Sequence, residues 1–213
     1  TQEGSNVDVC AVMGNFDDAQ TGVKRIFTDA GVNQRLAQAG IRLSSANSIN
    51  FGRLLPQITY YFHAYAALVQ RGAILAGERV NFCVPTGNFG NILAGYYALR
   101  MGLPVARLLC ASNRNDVLTD FFHTGAYDAN RTFYRSMSCS IDILISSNLE
   151  RLLYEIAGRD PAAVREYMQG LRREGAYAVP QSARAELEQC FYADCCDEQD
   201  TLDPIRRTWE RQG

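Results

Sequence analysis

Residues 79–111 constrain the fold more than any other part of the chain. An apolar run over 79–84 leads into Pro85-Thr86-Gly87-Asn88-Phe89-Gly90-Asn91. A helical pattern follows over 90–101, then a second apolar run over 105–111. Strand, Gly-rich loop, helix and strand in this order predict a right-handed crossover in a parallel sheet. The chain is therefore read as α/β. The loop lies where unpaired backbone N–H groups at a helix start can cradle an anion, and its glycines allow close approach. It is not a Walker loop, since no Gly-Lys-Ser/Thr is present, and its spacing misses the dinucleotide fingerprint. A connection that only packs is the alternative reading.

A second loop of similar character precedes another helix. In Asn47-Ser48-Ile49-Asn50-Phe51-Gly52-Arg53, Ser48 offers a hydroxyl, Asn47 and Asn50 offer amides, and Arg53 offers a planar fork suited to phosphate. Capping asparagines beside a surface arginine would have the same sequence. The helix itself should run over 53–70, because Leu54, Leu55, Ile58, Tyr61, Phe62, Tyr65 and Val69 recur at helical spacing, provided that Pro56 falls in its first turn.

The remaining elements are shorter. Residues 7–13 form an apolar run that predicts a strand, followed by a turn at Gly14-Asn15 and a helix opened by Asp17 and Asp18. Short helices are expected over 115–122 and 148–157. From Pro161 onward the chain reads as helix almost to its end, with Pro161, Pro180 and Pro204 each at a helix start. Small polar residues over 43–46 mark the one boundary, which divides the chain into 1–44 and 45–213.

Composition narrows the function. With 213 residues, 47% hydrophobic and 21% charged, the chain has an ordinary globular balance. No run approaches a membrane span, and residues 1–8 do not read as a signal peptide, so a cytoplasmic setting is expected. A net charge of −2 with dispersed arginines argues against nucleic acid and for small-molecule partners. Seven cysteines form no CxxC pair and no zinc-like spacing with histidine, so no metal site is assigned; they are expected to be reduced and mostly buried. His63 and His123 are read as structural. Lys24 is the only lysine among 21 basic residues and is placed on the surface.

Several segments in this order resemble threonine synthase. They are 14–20, Ser45-Ala46-Asn47-Ser48-Ile49-Asn50, 57–62, 85–91, Asn113 to Asp116, and Ser146-Ser147-Asn148 through Glu150-Arg151, and the likeness thins beyond residue 160. Cys139 and Ile141 stand where the family has proline and methionine. The resemblance implies a three-layer, mostly parallel sheet flanked by helices, as in part of a fold type II pyridoxal 5'-phosphate enzyme. Residues 1–44 would be the C-terminal part of the smaller domain, and 45–213 most of the larger, cofactor-binding one. The implied reaction converts O-phospho-L-homoserine and water to L-threonine and phosphate. Gly87, Asn88, Phe89, Gly90 and Asn91 match the cofactor-phosphate loop; Asn47, Ser48 and Arg53 match the substrate-phosphate site. Asn113, Asn115 and Asp116 match a family segment to which no role is assigned, and an Asx-rich cap is the plain reading.

The family's cofactor-bearing lysine lies in a Phe-Lys-Asp type motif upstream of the Gly-rich loop, and the group facing the cofactor's ring nitrogen is expected beyond residue 213. This chain is therefore expected to be an inactive fragment with no catalytic residue of its own. A threonine-synthase-like phospho-lyase releasing a keto acid, or a non-catalytic phosphate-binding module, are the alternatives.

Overall fold

The computed structural model describes residues 4–14 and 16–212, the side chains of Phe16 and Asp17 apart. The chain divides into two compact units at Ser44/Ser45. The first unit contains helices α1 (Phe16–Thr28) and α2 (Ala30–Gln38). Asp29 caps α2 by accepting from the Val32 N–H at 2.8 Å. The strand expected over 7–13 is not formed: among the described residues its one pairing is an isolated bridge between Gly4 and Val7. Val9, Val12 and Met13 are exposed, so the apolar run finds no sheet edge to complete its ladder among the described residues. Asn15 and the side chain of Asp17, expected at the turn and cap before α1, lie outside the described residues.

In the second unit α3 (Phe51–Leu54), a 3-10 turn over Leu55–Gln57 and α4 (Ile58–Gln70) replace the single helix expected over 53–70. Pro56 is the cause. It has no N–H to donate and tolerates only a helix's first turn, so the chain tightens around it and α4 starts afresh. There follow β1 (Val80–Pro85), α5 (Gly90–Arg100), β2 (Val105–Ser112), α6 (Val117–Thr124), β3 (Ala126–Asp128), α7 (Leu149–Ile156), α8 (Pro161–Glu174), β4 (Ala176–Ala178), α9 (Gln181–Cys190), β5 (Phe191–Cys195) and α10 (Glu198–Gln212).

The protein is α/β, with a parallel sheet of order β1-β2-β5 flanked by helices and a small antiparallel pair of β3 and β4. Strands β4 and β5 correct the expectation of unbroken helix after Pro161. Ala176-Tyr177-Ala178 carries only one bulky side chain, and Tyr177 stacks on Tyr127 at 5.1 Å, so tertiary pairing rather than local pattern makes β4. Pro161 and Pro180 do sit at helix starts, but Pro204 lies inside α10, whose first turn is instead capped by Asp197 accepting from the Asp200 N–H at 2.8 Å. No helix among the described residues is long and apolar enough to cross a membrane.

The core gathers beneath α5. Phe89, Tyr96, Phe122 and Phe191 form an aromatic cluster with centroid separations of 5.0–6.0 Å, and Leu93, Leu108 and Leu152 are fully buried. The cysteines are free thiols, but only Cys110 is buried. Cys10, Cys83, Cys139, Cys195 and Cys196 are exposed, which corrects the expectation that most lie inside. Cys83 occupies the edge strand and Cys195 ends β5, where the sheet has no cover. Burial pushes the Cys110 thiol up to about 12, partly opposed by the Thr86 hydroxyl. Its contribution to stability is thus present below the ordinary thiol value of 9.0 and fades as pH climbs toward 12. With a thiol reagent at about pH 8, the exposed cysteines should react first and Cys110 only as the chain unfolds. Early labelling of Cys110, located by peptide mass, would contradict its burial.

Candidate functional site

Parallel pairing places the carboxyl ends of β1, β2 and β5 together, the usual position for a ligand in an open α/β sheet. Here β1 ends at Pro85, and Thr86 closes it by donating its N–H to the Ala111 carbonyl at 2.8 Å. Phe89 then adopts a left-handed conformation, φ 62° and ψ 7°, immediately before α5. Such a conformation is costly for a non-glycine residue. Phe89 is only 1% exposed and packs on Phe122 and Phe191, so burial of its ring offsets the strain. Among the described residues, the N–H groups of Gly87, Asn88, Phe89, Gly90 and Asn91 have no backbone acceptor. A run of free donors at a helix start can hold an anion.

The two loops singled out in the sequence meet at Gly90. A Cβ there would lie 2.6 Å from Ser48 Oγ and 2.8 Å from Ser48 Cβ. Gly87 is also enclosed, since a Cβ would come within 2.9 Å of Ile143 Cδ1 and 3.0 Å of Ile141 Cα. Both glycines therefore let neighbouring chain approach the loop. Asn91 points elsewhere: its side chain accepts from Tyr61 Oη at 2.8 Å and donates to Gln57 at 3.1 Å, which fastens α5 to α4. Only its backbone N–H faces the anion loop's task.

In the second loop Asn47 Oδ1 accepts from the Ile49 N–H at 3.0 Å, and Asn50 caps α3 by accepting from the Gly52 N–H at 3.0 Å. Asn50 thus caps a helix as its residue type suggests, whereas Asn47 closes a local turn within the loop. Arg53 is exposed and donates through Nε to the Ala46 carbonyl at 3.0 Å; its two terminal nitrogens have no partner among the described residues. The main chain is held in shape, and the two terminal nitrogens of Arg53 are left for other partners, while the Ser48 hydroxyl reaches Asn47 Oδ1 only at 3.5 Å.

A third segment holds both loops, and the sequence reading gave it no role. Ser146 Oγ donates to the Gly87 carbonyl at 2.7 Å, and Ser147 Oγ to Asn88 Oδ1 at 3.2 Å. Asn148, fully buried, donates from its backbone to the Asn88 carbonyl at 3.1 Å and from Nδ2 to the same oxygen at 2.9 Å and to Ser48 Oγ at 3.0 Å. Arg151 donates to the Ser48 carbonyl at 2.9 Å, to the Ile49 carbonyl and to Asn148 Oδ1. The signal in the sequence was an Asn followed three residues later by Arg at the start of an apolar helix, which reads equally well as an ordinary cap.

Asn113 and Asn115 also find a role. Both donate to the buried Asp142 carboxylate, at 2.6 and 3.1 Å, and Ser136 donates to it through Oγ at 2.7 Å and N at 2.9 Å. Asp116 is separate, paired with Arg131 at 2.7 Å. Asp142 lies between Ile141 and Ile143, the residues that wall Gly87, so this polar knot sets one side of the loop. His123 contacts the Ala193 carbonyl at 3.0 Å and His63 is exposed. Lys24 is exposed on α1, in the first unit.

No family model matches the chain. It is 46% identical over 204 residues to human threonine synthase-like 1, covering 95% of this chain and 28% of that protein. It is 41% identical over 210 residues to threonine synthase of Pseudomonas aeruginosa, covering 99% and 42%. The crystal structure of PLP-bound threonine synthase from Brucella melitensis superposes with a TM-score of 0.81 at 42% identity, covering 94% of this chain and 41% of that one. The chain thus spans well under half the length of these relatives. Sequence and fold agree over nearly all of its residues, and the chain corresponds to a fragment of a threonine synthase.

Proposed function

We propose that this chain supplies the two phosphate-holding loops of a threonine synthase, which takes O-phospho-L-homoserine and water to L-threonine and phosphate with pyridoxal 5'-phosphate as cofactor. The observation that carries the reading is the contact of the loops at Gly90: two sets of donors, each suited to a phosphate, share one wall. The reaction involves two phosphates, one on the cofactor and one on the substrate.

The residues present fit the cofactor's phosphate. Free N–H groups of Gly87, Asn88, Phe89, Gly90 and Asn91 would hold it without any charged side chain, aided by the helix start. When bound, the cofactor supplies an electron sink for the substrate's carbanions. Asn47, Ser48 and Arg53 would hold the substrate's phosphate: the hydroxyl and amide donate single hydrogen bonds, and the guanidinium donates a charge-assisted pair. By fixing that group they orient the carbon chain and steady the phosphate as it leaves. Lys24, the only lysine, belongs to the first unit, so no amine within the second unit is available to hold the cofactor covalently. The first unit would then be part of the smaller domain and the second most of the larger. The isolated chain should bind both phosphates and be inactive.

Arg53→Ala tests the division of labour. Losing one charge-assisted contact costs about 1.5–3 kcal/mol, so affinity for O-phospho-L-homoserine should fall about 10- to 150-fold while pyridoxal phosphate affinity holds. Calorimetric titration with each ligand measures both. Loss of cofactor affinity with normal substrate affinity would mean that the two phosphates are assigned the wrong way round.

A further inference from the structure

We infer that Asn148 is a positioning residue that fixes the direction in which the Ser48 hydroxyl donates, and that Arg151 fixes Asn148. The inference rests on the reading of Ser48 as a ligand of the substrate phosphate and adds residues outside both loops.

An amide side chain has one donor end and one acceptor end, and its orientation follows from its neighbours. For Asn148 the neighbours decide it. Its Nδ2 faces two acceptors, the Asn88 carbonyl at 2.9 Å and Ser48 Oγ at 3.0 Å, while its Oδ1 receives a guanidinium N–H from Arg151. Flipping the amide would set Oδ1 against the Asn88 carbonyl oxygen and Nδ2 against the Arg151 guanidinium. Both contacts are repulsive, and Asn148 is fully buried, so no water relieves them.

The consequence falls on Ser48. A hydroxyl has one proton and two lone pairs, and Asn148 Nδ2 fills a lone pair. The proton is left for an outward acceptor. Its one partner among the described residues is Asn47 Oδ1, at 3.5 Å, the far limit of a hydrogen bond. Ser48 is thus prepared as a donor, as a phosphate oxygen requires. Arg151 takes no direct part in that binding, because its guanidinium is occupied by the Ser48 and Ile49 carbonyls and by Asn148 Oδ1.

A double-mutant cycle separates this role from a merely structural one. Asn148→Ala should weaken O-phospho-L-homoserine binding about tenfold, the scale of one prepared hydrogen bond, yet less than about twofold in a Ser48→Ala background. Arg151→Lys keeps the charge but not the planar fork, and should show the same pattern at about three- to tenfold. It carries the test alone if Asn148→Ala does not fold. Equal losses with and without the Ser48 hydroxyl would overturn the inference, since the two residues would then act independently of it. If Ser48→Ala alone leaves affinity unchanged, the inference also falls, whereas Arg53→Ala still decides whether the loop takes the substrate's phosphate.

Discussion

Gly90→Val should weaken both phosphate sites together. The added Cβ would sit 2.6 Å from Ser48 Oγ and 3.4 Å from Asn148 Nδ2, and valine adds two methyl groups to it. Something must move, and the nearest body is the Ser48 loop itself. Overpacking of this kind costs about 1–3 kcal/mol, and forcing the loops apart should lower affinity for pyridoxal phosphate and O-phospho-L-homoserine each by about 100-fold. Gly90→Ala should do the same on a smaller scale, because the Cβ alone makes the close contact. The contrast is with Arg53→Ala, which should affect one ligand. Titration of both ligands against the folded variant decides. Cofactor binding lost with substrate binding intact would mean that Gly90 is required only for the phosphate's approach to the backbone, and that the Ser48 contact is incidental.

That contrast shows how far the sequence alone reaches. Glycines in a strand-to-helix loop announce a close approach, and the pattern 79–111 was sufficient to place β1, α5 and β2, although only α5 and β2 are well buried and β1 is an edge strand in which Val84 alone is buried. What approaches Gly90 was not legible. Ser48 is 42 residues earlier in the chain and Asn148 is 58 residues later, and no local pattern encodes such a meeting. The same limit explains β4 and β5. Ala176-Tyr177-Ala178 becomes a strand only because β3 lies beside it, and Phe191 to Cys195 because β2 offers an edge. Residues 7–13 show the converse, an apolar run with strand-like composition and no edge to join among the described residues. Pro56 and Pro204 differ for a related reason. A proline that forbids one local bond ends a helix where the chain has another use for the break, and is carried inside α10 where a cap at Asp197 has already started it.

Asp142→Ala should cause the largest loss of stability. Asp142 carries a buried carboxylate with no cationic partner among its hydrogen bonds; four donors from Asn113, Asn115 and Ser136 compensate its charge. Removing the acceptor takes one partner from each of two buried amides, 8% and 4% exposed, although Asn113 Nδ2 keeps Ser136 Oγ at 2.8 Å and Asn115 Nδ2 keeps the Tyr134 carbonyl at 2.8 Å. Hydrogen bonds to a charged group contribute about 1.5–3 kcal/mol each, and their loss is not additive, so about 3–5 kcal/mol is expected. Against a total of about 5–15 kcal/mol for a domain, that is a large fraction. Asn115 also accepts from the Tyr134 N–H at 2.9 Å and donates to the Tyr134 carbonyl at 2.8 Å, so part of the loop stays tethered and the chain should still fold. In the folded variant Ile141 and Ile143 lose their anchor beside Gly87, and pyridoxal phosphate affinity should fall even though no ligand-binding group has been touched. Asn113→Ala should cost less, and combining the two should cost little more than Asp142→Ala alone. Denaturant midpoints of the three variants measure this. If the losses from Asn113→Ala and Asp142→Ala simply add, the carboxylate and its amides do not act as one unit, and the wall of the phosphate loop is held by the packing of the two isoleucines instead.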